Sequence, residues 1–319
     1  MLKVGLVGIG FMGRGHLEQY IRLMGEGAPV ELVALCDVDP KKFETGAAQG
    51  GNLGSLGMGD FDLSRFRVYH DFDDMVAGEQ LDYVDLALPT FLHCYYACRA
   101  MEAGLHVLCE KPMALNPEQC QMMIDAAERT GKRLMIAQCL RFWPAYEALK
   151  ELSGGSLGAP VSAYFYRGGG GIPQWSHQNW LKDEFRSGGC LLDQHVHDVD
   201  MVNFLFGLPE AVSTLGRNVF PGAGIDAVST HYRYPGDFTV TTEDDWSMSA
   251  MPFQMMFRVN FERGAVAFDG GKATVYPVGG QPYQPEQSDD SGYYREIRYF
   301  IDKLISGQPI ETCTPDSAR

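Results

Sequence analysis

Residues 1–13 read Met1-Leu2-Lys3-Val4-Gly5-Leu6-Val7-Gly8-Ile9-Gly10-Phe11-Met12-Gly13. A short apolar run passes directly into G-x-G-x-x-G, and an amphipathic helical pattern follows. The spacing alone carries little weight, because a chain with 37 glycines produces it by chance. Between a strand and a helix it acquires a physical meaning. Gly8 permits the tight turn, Gly10 lets backbone approach a pyrophosphate, and Gly13 lets helix and strand pack closely. The helix start at Phe11 and Met12 then offers unpaired N–H groups and a positive dipole end to phosphates. Gly8, Gly10, Phe11, Met12 and Gly13 are therefore expected to hold a dinucleotide.

The next strand ends at Asp37, 24 positions past Gly13. A carboxylate there accepts hydrogen bonds from an adenosine ribose and repels a 2′-phosphate, which favours NAD over NADP. Lys41 and Lys42 stand close by and weaken that preference. Up to residue 138, strand patterns at 3–7, 31–36, 67–69, 83–88, 106–109 and 133–137 alternate with helical ones. Most are continuous apolar runs, as parallel strands covered on both faces require. Asn116-Pro117 opens one helix as N-cap and first residue, and Gly131 closes it. Gly104 closes another that starts near Phe91. Residues 50–59 hold five glycines and read as a mobile loop.

Beyond residue 138 the pattern changes. A helix at 144–152 precedes strand segments at 161–167, 227–234, 253–261 and 265–268, with turn pairs such as Pro235-Gly236 and Arg263-Gly264. Alternation with period two favours an antiparallel sheet. The expected fold is α/β plus α+β: a Rossmann doubly wound parallel sheet over 1–138, then a domain over 139–319 on a large, mainly antiparallel open β-sheet. The second domain would hold substrate and make subunit contacts. The tail 314–319 reads as a helix start with a capping threonine and a first-position proline. The helix it begins is either absent or cut.

Composition narrows the function. Hydrophobic residues make up 45% and charged ones 21% of 319 residues, as in an ordinary globular enzyme. A net charge of −15 without any basic run argues against nucleic acid and against anionic membranes as partners. The N-terminus enters a strand at once with no leader pattern, and no apolar run approaches the ~18 residues of a membrane helix. Eight cysteines without a C-x-x-C pair read as free thiols, which places the chain in the cytoplasm.

Two further strand ends carry Leu88-Pro89-Thr90-Phe91-Leu92-His93 and Cys109-Glu110-Lys111-Pro112. Later comes Ser187-Gly188-Gly189-Cys190-Leu191-Leu192-Asp193-Gln194-His195-Val196-His197-Asp198-Val199-Asp200. With the glycine turn, these stretches resemble the glucose–fructose oxidoreductase / inositol dehydrogenase family, also called Gfo/Idh/MocA. Glu110-Lys111-Pro112 matches its E-K-P signature, and the later stretch its G-G-G-x-x-x-D-x-G-x-H-x-x-D pattern. Cys190 stands for the third glycine and His195 for the glycine before the catalytic-type histidine. The resemblance implies a nicotinamide enzyme acting on a sugar, cyclitol or related polyol, active as a homodimer or homotetramer. It implies that Lys111, Asp193 and His197 face the reacting carbon. Pro89, Thr90 and His93 would line the cofactor with Glu110 beside it, and His195 would reshape the substrate pocket.

The residues support part of this without the family. Strand ends build the ligand crevice of an open α/β sheet, so the Lys111 ammonium there can polarise an oxygen. If 190–206 forms one helix, Leu192, Val196, Val199, Val202 and Phe206 make an apolar stripe. Asp193, His197 and Asp200 then share a separate polar face, where a carboxylate can orient an imidazole for proton transfer. A metal held by Asp193, His195, His197 and Asp198 is not expected, because helical residues two apart point about 160° away from each other. Trp175, His177 and Trp180 either wall the substrate pocket or fill an apolar gap. Two rival functions share the scaffold: an NAD-assisted glycoside hydrolase, and a non-catalytic NAD-dependent sensor.

Overall fold

The computed structural model describes residues 1–44, 56, 59, 61–172 and 176–319. Most of the glycine-rich stretch 50–59 lies outside the described residues, as does Trp175. The chain forms two compact units. One comprises Met1–Gln138, Trp175–Trp180 and Tyr293–Arg319; the other comprises Cys139–Gln174 and Leu181–Gly292.

In the first unit the chain runs β1 (Leu2–Val7), α1 (Phe11–Gly25), β2 (Val30–Cys36), β3 (Arg67–Tyr69), α2 (Phe72–Gly78), β4 (Tyr83–Leu86), α3 (Thr90–Glu102), β5 (His106–Glu110), α4 (Pro117–Thr130) and β6 (Leu134–Ala137). The six strands pair in the order β3-β2-β1-β4-β5-β6, all parallel. Strand order reverses between β1 and β4, so a crevice opens at their carboxyl ends. Val4, Leu6, Val84, Leu86, Val107 and Leu108 are fully buried, which accounts for the unbroken apolar runs. The expected α4 caps are present: the Asn116 side chain accepts the Gln119 N–H, and Gly131 adopts φ 66°.

The second unit begins with α5 (Pro144–Leu152) and β7 (Pro160–Gly168), then α6 (Glu184–Ser187), α7 (Gly189–Asp193) and α8 (His195–Phe206). Six strands follow: β8 (Ala211–Arg217), β9 (Ala227–Arg233), β10 (Thr239–Asp245), β11 (Gln254–Phe261), β12 (Gly264–Phe268) and β13 (Thr274–Pro277). They join β7 in the order β13-β12-β11-β7-β10-β9-β8, and only the β7–β10 pair is parallel. The mainly antiparallel sheet is thus present. Tyr146, Phe165, Phe257 and Phe268 form its aromatic core, with the Tyr146 and Phe257 rings 5.0 Å apart.

Two sequence expectations are corrected in this unit. Residues 190–206 are not one helix: Gln194, at φ −108° and ψ −51°, separates α7 from α8. The buried face of α8 is not the apolar stripe either. His195, Asp198, Asp200, Met201, Val202 and Leu205 are buried, while Val196, Val199 and Phe206 are only half-buried.

The last helices, α9 (Gly292–Ser306) and α10 (Pro315–Ala318), carry residues of the first unit. The Phe300 ring of α9 packs edge-on against Tyr83 of β4 at 5.3 Å, and Arg133 donates to the Lys303 and Gly307 carbonyls. Thr314 caps α10 as its sequence suggests. Among the described residues no helix is long and apolar enough to cross a membrane.

Candidate functional site

The glycine turn at the end of β1 shows what each glycine is for. Gly8 sits at φ +89°, and a Cβ there would lie 2.4 Å from the Ala87 carbonyl oxygen. A Cβ on Gly13 would lie 1.8 Å from the Gly8 carbonyl oxygen. Both glycines are demanded by the chain's own backbone. Among the described residues nothing lies within 4 Å of a Cβ on Gly10, so no described atom fills the space before the α1 N-terminus. Phe11 and Met12 begin that helix. An open cradle at a helix start, ringed by backbone N–H groups, fits a pyrophosphate.

Asp37 follows β2 and ties into the turn. Its Oδ2 accepts the Ile9 N–H at 2.7 Å and its Oδ1 accepts the Asp39 N–H at 2.9 Å. Each oxygen retains a lone pair that a ribose hydroxyl can use. Gly10→Ala is expected to fold with an unchanged melting temperature and to bind NAD about tenfold more weakly. Gly13→Ala should destabilise the protein by about 1–3 kcal/mol through overpacking. Calorimetric titration and thermal melting separate the two; equal effects would contradict this reading of the turn.

The β4 and β5 ends supply the remaining groups expected in the first unit. Pro89 precedes α3 and Thr90 begins it, fully buried. The His93 ring lies between two carbonyls, with Nδ1 2.8 Å from the Pro112 oxygen and Nε2 2.8 Å from the Leu88 oxygen. Burial outweighs those carbonyls and pulls its pKa below the ordinary value. The neutral ring donates to one of these carbonyls through its single N–H, and His93 thus braces the wall of the crevice. Glu110 ends β5, and a cis peptide joins Lys111 to Pro112.

Sequence reasoning missed the buried network behind Glu110. His16, on α1, presents Nδ1 to Asp85 of β4 at 2.9 Å and Nε2 to Glu110 Oε1 at 3.0 Å. The other Glu110 oxygen accepts the Lys111 backbone N–H at 3.0 Å. Tyr20 donates to Asp85 at 2.9 Å, and Tyr83 donates to Tyr20 at 3.2 Å. Burial opposes the His16 imidazolium, but Asp85 and Glu110 outweigh it and hold its pKa well above 6.5. Burial, offset by His16 and Lys111, leaves the Glu110 pKa below its ordinary value. The missed signal is a histidine three residues past Gly13 on a helix face that packs on the sheet.

A raised histidine pKa stabilises the fold most below 6.5, and the gain is lost as pH climbs through the folded-state value. Melting temperature is therefore expected to fall as pH rises above about 6.5. His16→Gln should flatten that slope. An identical slope in the variant would mean that His16 is neutral.

In the second unit Asp193 ends α7, and His197 lies in the first turn of α8, both half-buried. The Gln194 kink between them is pinned: its side chain donates to the Arg167 carbonyl at 2.9 Å and accepts from the Trp246 indole at 3.0 Å. Asp200, further along α8, is held by Arg141 with two hydrogen bonds at 2.6 and 2.9 Å. His195 points into the sheet, where Nδ1 donates to Asp244 and Nε2 meets the Thr230 hydroxyl at 3.0 Å. Both its nitrogens are engaged, so His195 anchors α8. Beside it Arg167 donates to Asp198 at 3.2 Å. Burial, partly offset by Arg167, pushes Asp198 up to about 6. Trp180 is half-buried near the end of the 3-10 segment His177–Lys182.

Comparison with known families decides what this architecture is. The family model described as an oxidoreductase family with an NAD-binding Rossmann fold (GFO_IDH_MocA) matches residues 2–138. A model of the GFO/IDH/MocA C-terminal domain matches residues 146–267. The chain belongs to the Gfo/Idh/MocA family.

Among Gfo/Idh/MocA relatives, an uncharacterized oxidoreductase of Streptococcus pneumoniae is 31% identical over 69% of this chain and 54% of its own length. D-glucoside 3-dehydrogenase of Escherichia coli is 26% identical over 97% of this chain and 89% of its own. The chain spans about half the length of the first curated relatives it matches. A crystal structure of an Agrobacterium radiobacter oxidoreductase with NAD+, L-tartaric acid and magnesium aligns with a TM-score of 0.80 at 20% identity. It covers 99% of this chain and 92% of that one. That likeness shows a shared fold for the Gfo/Idh/MocA chain.

Proposed function

We propose that this chain is an NAD-dependent dehydrogenase that reversibly oxidises a carbinol carbon of a sugar, cyclitol or related polyol. One observation carries the reading: a phosphate cradle at Gly10, a ribose-type carboxylate at Asp37 and a lysine at the β5 end share the carboxyl edge of one parallel sheet. Family relatives named as inositol 2-dehydrogenase, D-apiose dehydrogenase and D-glucoside 3-dehydrogenase support the substrate class.

Gly8, Gly10, Phe11, Met12 and Gly13 hold the pyrophosphate, and Asp37 takes the adenosine ribose, so NAD binds more tightly than NADP. Pro89, Thr90, His93 and Glu110 shape the nicotinamide end of the crevice. When bound, the nicotinamide accepts or returns the hydride. Lys111 binds and polarises the substrate oxygen. His197 takes up the hydroxyl proton as general base and returns it as general acid, while Asp193 sets its tautomer. Trp180 walls the substrate. The His195 anchor fixes the α8 turn that carries His197. The enzyme is cytoplasmic and forms a homodimer or homotetramer. The exposed Val212 and Leu215 on edge strand β8 favour subunit contact, and light scattering tests it.

The test is a panel of aldoses, cyclitols and anhydrosugars with NAD, and of their keto forms with NADH, followed by NADH absorbance. At least one pair should turn over in both directions. Tight NAD binding with no redox turnover across the panel would overturn the reading.

A further inference from the structure

We infer that His16 is a positioning residue for Lys111, acting through Glu110, and so braces the phosphate-binding helix against the strand end that carries the lysine. The inference rests on the role proposed above for Lys111. Its basis is a continuous run of contacts within the first unit. His16 lies on α1, whose N-terminus faces the cradle, and its Nε2 meets Glu110 Oε1 at 3.0 Å. Glu110 folds its other oxygen back onto the Lys111 N–H at 3.0 Å. The peptide plane entering Lys111 is thereby fixed by a side chain whose own position the imidazole fixes.

The charges make that brace stiff. His16, Asp85, Glu110 and Glu296 of α9 are all buried. They gather three carboxyls around one imidazole, with the Tyr20 hydroxyl on Asp85 and the Tyr293 ring 6.4 Å from His16. Removing the imidazolium strands Glu110 as a buried carboxylate beside other acids. It must then take a proton or turn away, and either response loosens its hold on the Lys111 N–H. Neither Glu296 oxygen has a hydrogen-bond partner among the described residues, and burial and then Glu110 push its pKa well up. Burial thus favours the protonated form of Glu296, which adds no competing charge.

A divalent cation is the rival occupant, because ligand atoms of His16, Glu110 and Glu296 lie within 4.8 Å of one another. It would replace two protons, one on His16 and one on Glu296, at the same net charge. The 3.0 Å contact between His16 and Glu110 is already a charge-assisted hydrogen bond, so the imidazolium fills that place.

The experiment compares His16→Gln, Lys111→Ala and the double variant in the full chain, with Tyr20→Phe as a milder change should His16→Gln fail to fold. Hydrogen exchange at the Lys111 amide should speed up about tenfold in His16→Gln and less in Tyr20→Phe. For the best substrate of the panel, kcat should fall about 100-fold in His16→Gln, with KM and the NAD Kd within about threefold of wild type. In the Lys111→Ala background the same substitution should cost almost nothing further, because both changes break one link. Losses that multiply, or unchanged exchange at Lys111, overturn the positioning role alone. Full turnover by Lys111→Ala overturns the reading of the site as well. One equivalent of divalent metal in the purified protein overturns the imidazolium brace.

Discussion

His197→Ala is expected to lower kcat by about three orders of magnitude while the NAD Kd stays within about twofold. The residues proposed for the cofactor all belong to the first unit, whereas His197 lies on α8 in the second. Removing an imidazole that moves the substrate proton takes away stabilisation realised only in the transition state, so kcat and kcat/KM should fall together. Asp193→Asn should cost less, about tenfold to 100-fold, because the amide still occupies the site without favouring the reactive tautomer. Stopped-flow turnover with the best substrate, beside calorimetric NAD titration, measures both. Wild-type turnover in His197→Ala would remove that histidine from the chemistry.

Arg167→Ala should be the most destabilising single change outside the aromatic core. Its guanidinium is buried and faces Asp198, with Asp244 close enough to raise its pKa once burial is overcome. Truncation leaves two buried carboxyls, Asp198 and Asp244, without their guanidinium, a change worth about 3–5 kcal/mol. At this size that corresponds to a melting temperature lower by roughly 10 °C. The loss has a pH signature. Asp198 already has its pKa raised to about 6 by burial, so its protonated form favours folding at low pH and the benefit fades as pH rises through 6. Without Arg167 that pKa rises further, and the deficit of the variant should shrink on acidification from about pH 7 to 5. Arg67→Ala is the control: its Arg67–Glu79 ion pair has the arginine largely exposed, and melting should move by little. A melting temperature for Arg167→Ala equal to that control would contradict the buried-charge account.

Much of the first unit is legible in the sequence because its strands are covered on both faces. Val4–Val7 and Val107–Cys109 read as unbroken apolar runs, and a glycine turn, a capping Asn116-Pro117 pair and Gly131 punctuate them. The second unit hides where its interior is polar. β10 reads Thr-Val-Thr-Thr-Glu-Asp-Asp, which looks like a loop, yet Thr242 and Asp244 are fully buried partners of Tyr232 and His195. The stripe expected on 190–206 fails for the same reason. Periodicity arguments assume an apolar core, whereas Arg167, Asp244 and Thr230 offer α8 a polar one. α9 is likewise not isolated by sequence reading, although Tyr293, Ile297, Phe300 and Ile301 recur at helical spacing and are all buried. At the candidate site, the glycine turn and the strand-end lysine follow from local pattern. His16 does not, because its partners Asp85 and Glu110 lie far along the chain.

The most direct test follows one atom. A substrate from the panel, deuterated at the carbinol carbon and oxidised with NAD, should yield NADH carrying one deuterium at the nicotinamide C4 for each keto product formed. Mass spectrometry of the recovered cofactor reads the result. Deuterium left in the sugar or lost to solvent, without labelled NADH, would contradict a dehydrogenase.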